Sequence, residues 1–176
     1  MQKLTHARIV ARQITRARAP RVPVSVVLDN IRSLDNVGSI FRTADGAGVE
    51  KLWLCGITGF PPQGKIARTA LGAEESVVWE YAKDVAGVVR DHKARGYKVA
   101  LLEQVHASVP FDEFVPDGPV CLVVGNEVDG ISDEVVKLAD VALEIPMAGI
   151  KNSLNVAVAF GVAVFNLSRA CKRAGL

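Results

Sequence analysis

"VCLVVGNEVDGISDE", residues 120–134, passes from an apolar run through two glycines to a pair of acids. Residues 120–124 are short, rich in valine and non-alternating, the pattern of a strand covered on both faces of a parallel sheet. Gly125 and Gly130 bracket a turn. Ser132 stands where it can cap a short helix whose first turn holds Asp133 and Glu134, and the helix dipole favours acids there. Strand, glycine turn and helix make one βα unit, and the same grammar extends in both directions. "VSVVL" (24–28), "KLWLC" (51–55), "YKVALL" (97–102) and "VALEI" (141–145) read as further buried strands. A helix begins at Asp35 or Asn36, with Val37, Ile40, Phe41 and Ala44 on one face. Another runs from about Asp84 to Gly96, and a last one from Asn152 or Ser153 towards Arg173. The stretch 56–76 contains Gly and Pro and is long enough to be a functional loop. The alternation predicts an α/β fold, a mostly parallel sheet flanked by helices.

The chain has 176 residues, 49% hydrophobic and 23% charged, which suits a single domain over 1–176 with a sizeable core. No apolar run spans a bilayer, and no secretory h-region opens the sequence, so no membrane is expected as a partner. Cys55, Cys121 and Cys171 are isolated and odd in number, which suggests a reducing cytoplasm. His6, His92 and His106 lack metal-ligand spacing, so no metal is expected. The net charge of +2 is uneven. Lys3, Arg8, Arg12, Arg16, Arg18 and Arg21 lie in residues 1–21 with no acid, so the arm is +6 and the rest of the chain −4. Three readings fit this arm. In the first it is an amphipathic helix with Leu4, Ile9, Val10 and Ile14 packed on the body. In the second it contacts RNA through residues such as Arg12 and Arg16. In the third it is an Arg-rich presequence.

Three polar clusters sit where strands end. In "LDNIRSLDNVGSIFRTADGAG" (28–48), Asn36 opens the helix and Arg42 points away from its apolar stripe. "DGAG" there does not continue as GxGxxG and follows a helix, so no dinucleotide fingerprint is present. In "LVVGNEVDGIS" (122–132), Asn126 and Glu127 stand outside the carboxyl end of a strand, where ligands of open α/β sheets bind. In "IPMAGIKNSLNVAVAFGVAVFNLSRA" (145–170), polar Asn152, Ser153 and Asn155 begin a helix that is apolar on every side. One cap accounts for one of them. The cluster reads as a ligand-facing helix start, because free N–H groups gather there.

Together and in order, the clusters resemble the three motifs of the SpoU-type (TrmH-like) RNA ribose 2′-O-methyltransferases. They are Asn36-x-Gly38-x-x-x-Arg42-x-Ala44, Gly125-Asn126-Glu127-x-x-Gly130, and Ile145-Pro146-Met147 with Ser153-Leu154-Asn155. The resemblance spans residues 24–170. It implies a C-terminal trefoil (α/β) knot, a homodimer whose active site takes residues from both subunits, and S-adenosylmethionine as cofactor. It implies that Leu102, Gly125, Ile145, Met147, Ser153 and Leu154 bind the cofactor. Arg42, Asn36, Glu127, Ser153 and Asn155 would serve the transfer of methyl to a ribose 2′-hydroxyl of tRNA or rRNA. Arg42 is best read as a clamp on phosphate and developing alkoxide, since a guanidinium stays protonated in proteins. RNA recognition would rest on residues 1–21, the dimer cleft and the loop 61–75, where Lys65 and Arg68 are candidate phosphate contacts.

Overall fold

The structure is a computed structural model that describes residues 2–17 and 20–176; the side chains of Arg16 and Ala17 also lie outside the described set. Its elements run α1 (His6–Ala17), β1 (Val22–Asp29), α2 (Leu34–Ala47), β2 (Val49–Cys55), α3 (Gly64–Ala70), α4 (Ala73–Ser76), β3 (Trp79–Ala82), α5 (Val85–Ala94), β4 (Lys98–Leu102), β5 (Val109–Pro110), β6 (Val120–Val124), α6 (Asp133–Val136), β7 (Val141–Glu144) and α7 (Val156–Ala174). The strands form one seven-stranded sheet in the order β3-β2-β1-β6-β4-β7-β5. Every pairing is parallel.

The valine-rich runs are explained by the two covered faces. Val24, Val26 and Leu28 of β1, with Leu122 and Val124 of β6, turn to one side and meet α2, α3, α4 and α7. Their neighbours Val27, Cys121 and Val123 turn to the other side, under α5 and α6. A strand buried on both faces has no polar half, so period-2 alternation disappears. His92 is enclosed in the second layer, its Nδ1 2.8 Å from Val88 O and its Nε2 2.9 Å from Ser25 Oγ. The five strands read from the sequence are all present. The half-exposed β3 and the two-residue β5 carry too little pattern to be read that way.

Several expectations need correction. The cap of α2 is Ser33, whose hydroxyl accepts from Asn36 N at 3.2 Å, so neither Asp35 nor Asn36 caps it. The last helix starts at Val156, and its cap is Asn155, not Asn152 or Ser153. Ser132 is the N-cap residue of α6 but makes no capping bond; its hydroxyl donates to Asp29 Oδ2 at 2.8 Å instead. Within the expected loop 56–76, residues 64–70 and 73–76 fold into α3 and α4, and 56–63 stay irregular. The stripe on α1 is not packed on the body: Leu4, Ile9 and Ile14 are exposed. Nor is α7 buried all round, because Val158, Val162 and Phe165 face outward. Among the described residues no helix is long and apolar enough to cross a membrane.

Register positions the site. Leu28 pairs with Val124, Val124 with Leu102, and Leu102 with Leu143. The carboxyl ends of β1, β6, β4 and β7 therefore lie level, and the loops that follow them open side by side.

Candidate active site

The loops after β4, β6 and β7, with the approach to α7, enclose a cavity of about 800 Å³. That is room for a ligand of cofactor size. Leu102, Val124, Leu143, Ile145, Met147 and Leu154 supply apolar wall. Glu103, Glu127, Asp129, Asp133 and Glu144 also line it, and among the described residues no Lys, Arg or His does. Such a lining favours a ligand with a cationic centre and opposes a bare anion.

The β6 loop is held tightly. Asn126 and Gly130 exchange backbone bonds of 3.0 Å in each direction. The Asn126 amide adds a bond from Nδ2 to Asn30 O at 2.8 Å, and its Oδ1 accepts from Val128 N at 2.8 Å. Gly125 is required here, because a Cβ on it would lie 2.5 Å from the Gly130 carbonyl carbon. Glu127 is thereby carried out to the cavity mouth, exposed at its tip.

At that mouth three of the expected residues meet. Asn36 Nδ2 donates to Glu127 Oε1 at 2.6 Å, and Asn155 Nδ2 donates to Asn36 Oδ1 at 3.2 Å. Asn155 Oδ1 meanwhile accepts from Ala157 N at 3.0 Å, the capping bond of α7. One amide thus fixes the helix start with its oxygen and the polar chain with its nitrogen. Ser153 lines the same cavity and is exposed.

Arg42 is not brought to this cluster within one chain. It is exposed on α2, six residues beyond Asn36, roughly 9 Å further along the axis at 1.5 Å per residue. Neighbouring Thr43 and Gly46 face α7, where Thr43 Cγ2 comes close to Gly161 and Phe165 Cζ to Gly46. Lys65 and Arg68 are exposed on α3, and Arg68 is engaged with Asp35 at 2.9 Å. Arg12 is exposed on α1, while the Arg16 side chain lies outside the described residues.

Several lining residues, Asp129 and Glu144 among them, were not singled out from the sequence, and two of them tie the walls together. Glu103 Oε2 accepts from Ile131 N at 3.2 Å, and Gln104 Nε2 donates to Asn152 O at 2.8 Å. Together they join the β4 loop to both other walls of the cavity. Their position just past β4 was the available signal, by the same carboxyl-end rule that picked out Glu127.

Known proteins are similar in fold and sequence. The profile of the SpoU rRNA Methylase family matches residues 23–165. A tRNA (guanosine(18)-2′-O)-methyltransferase from Aquifex aeolicus is 34% identical over 155 residues, covering 86% of this chain and 71% of that protein. The crystal structure of the A. aeolicus TrmH/SpoU tRNA modifying enzyme superposes with a TM-score of 0.82 at 29% identity, over 95% of this chain and 86% of that one. The SpoU methyltransferase AviRb from Streptomyces viridochromogenes, solved in complex with the cofactor AdoMet, gives 0.79 at 26% identity over 93% of this chain and 65% of that one. With the profile covering most of the sequence and the fold matching throughout, the chain belongs to the SpoU rRNA Methylase family.

Proposed function

We infer that the chain is an S-adenosylmethionine-dependent methyltransferase acting on a ribose 2′-hydroxyl of tRNA or rRNA. The observation that carries this is the Asn155–Asn36–Glu127 chain at the mouth of an acid-lined, cofactor-sized cavity. The residues present fit the cofactor. Leu102, Ile145, Met147 and Leu154 offer apolar surface for an adenine, Gly125 stands in the wall with no side chain, and the carboxylates suit its positive charge. When bound it supplies a methyl group already activated on a sulfonium.

The chain's own residues must align a hydroxyl and manage one proton. Glu127 Oε1 is occupied by Asn36 Nδ2, which leaves Oε2 to accept the 2′-hydroxyl proton. Asn36 and Asn155 hold Glu127 in place through the α7 cap. The substrate phosphate needs a cation, and none lines this cavity among the described residues. Arg42 of a second copy supplies it and steadies the alkoxide.

That role requires a homodimer. Its support is an apolar stripe on α7: Val158 is 52% and Phe165 50% exposed, with Val162 between them. The positions repeat every three or four residues and so share one helix face. The C-terminal knot belongs to the same reading. Residues 145–155 pass along the cavity beside the β4 and β6 loops, and α7 then packs back on α2 and β1, across β4 and β6 from β7. The superposition on the A. aeolicus enzyme supports that path.

The test is transfer of labelled methyl from S-adenosylmethionine into total small RNA and total ribosomal RNA, followed by nucleoside analysis. A 2′-O-methylnucleoside in one of them is the expected product. A methylated base, or no product in either, overturns the reading.

A further inference from the structure

Three of the chain's ten aromatic residues gather at the outer strand of the sheet, away from the cavity. Phe60 lies 6.3 Å from Trp79 in a stacked pair and 4.7 Å from Tyr81 in a tilted one. Trp79 is backed by Phe41 of α2, edge on at 6.4 Å. Tyr81 is fixed by its hydroxyl, which donates to Gly56 O at 2.9 Å. Phe60 and Tyr81 nevertheless stay 41% and 42% exposed, and Ile57 beside them 63%. Rings held this rigidly and left in water are unusual on a free surface, because exposing them forfeits burial.

Their location relates them to the reaction. Cys55 pairs with Ala82, so the turn after β2 and the end of β3 share the carboxyl edge with the cavity loops. Three strand spacings separate β3 from β6, whose loop carries Glu127, about 14 Å. That is the reach of about four nucleotides at a stacked rise of about 3.4 Å each. The turn is also bolted to the active-site helix: Gly59 sits against Leu34, two residues before Asn36, so closely that a Cβ would come within 2.2 Å of Leu34 Cδ2. Charge completes the surface. Three acids of this edge are engaged, Glu80 by Lys51 at 2.9 Å, Asp35 by Arg68 at 2.9 Å and Asp84 by Arg90 at 3.3 Å. Lys65 and Lys83 remain exposed, with no acid paired to either among the described residues.

We propose that Phe60 and Tyr81, with Ile57 in the turn beside them and Lys83 two residues beyond Tyr81, form a stacking platform for an unpaired nucleotide of the RNA, a short distance along the strand from the methylated ribose. The platform extends the proposed function and rests on its RNA substrate. Base stacking on an aromatic face is tolerant of sequence and strong enough to set register. The rings would hold the RNA in phase with Glu127, and Lys83 would meet the adjoining phosphate.

The experiment uses the full chain with Phe60→Leu, Phe60→Trp and Lys83→Gln variants. An unstructured RNA carrying 2-aminopurine reports stacking directly, by fluorescence quenching that does not depend on methyl transfer. Quenching by the wild type and by Phe60→Trp, lost in Phe60→Leu, is the expected result. With a methyl-accepting RNA, Phe60→Leu should raise the RNA KM about tenfold and leave kcat and cofactor affinity near wild type. Its salt dependence should be unchanged, whereas Lys83→Gln should flatten the slope by about one unit. No quenching by the wild type, or an unchanged KM in Phe60→Leu, overturns the platform. A Phe60→Leu protein that changes oligomeric state while RNA binding holds would reassign the surface to a contact between copies. Quenching without any methylated product would sink the proposed function and leave the platform standing.

Discussion

Asn36 and Glu127 lie 91 residues apart in sequence and meet through a single 2.6 Å bond from Asn36 Nδ2 to Glu127 Oε1. That bond joins the start of α2 to the β6 loop, so the proposed proton acceptor is oriented by a helix in the core. Two substitutions separate orientation from charge. Glu127→Gln keeps an acceptor for Asn36 and loses the carboxylate; it should slow methyl transfer about a hundredfold or more, the usual scale for a lost general base. Asn36→Ala keeps the carboxylate and frees it, costing roughly tenfold. Cofactor affinity should hold in both, measured by calorimetry beside single-turnover transfer. A Glu127→Gln enzyme at full rate would reduce Glu127 to an anchor for Asn36.

Much of this was legible in the sequence, for reasons that differ by residue. Five strands were legible because burial writes a continuous apolar run, as at 120–124. The exposed β3, interrupted by Glu80, and the two-residue β5 write no such run. Asn36, Glu127 and Asn155 could be picked out by motif, but their mutual bonds could not, since contacts across 91 and 119 residues leave no local mark. The caps went astray by two or three residues because Ser33, Asp35 and Asn36 are all good capping residues, as are Asn152, Ser153 and Asn155. The sequence alone does not say which will close the helix. The exposed stripe of α7 was hidden by its own composition: a helix apolar all round looks buried all round.

The stripe and Arg42 make a joint prediction. Phe165→Glu places a charge in the proposed apolar interface and should yield a monomer by light scattering, with methyl transfer lost. Arg42→Ala should remain dimeric, bind cofactor normally and transfer methyl about a hundredfold more slowly. If Arg42 acts on the partner's cavity, a purified heterodimer of Arg42→Ala with Glu127→Ala has one intact composite site. It should recover about half the wild-type rate, as two-fold symmetry requires. No recovery would place both residues in the same subunit's site.

Asp140 predicts a pH dependence of stability. Partial burial acts to raise its pKa, but the bond from Lys93 Nζ at 2.7 Å and the one from Val99 N at 2.8 Å outweigh it and hold it below its usual 3.8. A carboxyl depressed by folding stabilises the fold above its ordinary pKa, and that contribution is lost as pH falls through the lowered value. Asp140→Asn should therefore be less stable than wild type near neutral pH. The gap should close well below pH 3.8, as followed by urea unfolding across the range. A gap of constant size would assign the loss to packing and not to charge.

Burial predicts the chemistry of the thiols. Cys55 is pushed up to about 12, first by its enclosure and then by Asp29 and Asp84. Cys121 is pushed up to about 12 by enclosure and by Cys55. The thiolate is the reactive form, so both should resist a thiol reagent at neutral pH until the chain unfolds. Titration of the native protein with an aromatic disulfide, then of the same sample in denaturant, checks this. Rapid native modification of Cys55 or Cys121, located by peptide mapping, would mean that the second core layer opens.

Gly125 is where backbone geometry and cofactor binding should be inseparable. A Cβ there would come within 2.5 Å of both Gly130 C and Ile131 N, and within 2.7 Å of Gly130 O. These are backbone atoms of the same tight loop and cannot swing aside as a flexible side chain would. Gly125→Ala must then spread the Asn126–Gly130 bridge, move Glu127 and pull Ile131 N from its 3.2 Å bond to Glu103. The cost should be about 1–3 kcal/mol of stability, the scale of overpacking. Because the displaced loop is a wall of the cavity, S-adenosylmethionine affinity should fall at least roughly tenfold, about 1.4 kcal/mol. Gly149→Ala is the control: it lies on the neighbouring loop with nothing within 4 Å of its would-be Cβ. That variant should bind cofactor as the wild type does. Calorimetry on both, at a temperature where each is folded by circular dichroism, decides the matter. Equal affinity in the two variants would show that the cavity tolerates a spread β6 loop, and the cofactor would then have to be held by the β4 loop and residues 145–155 alone.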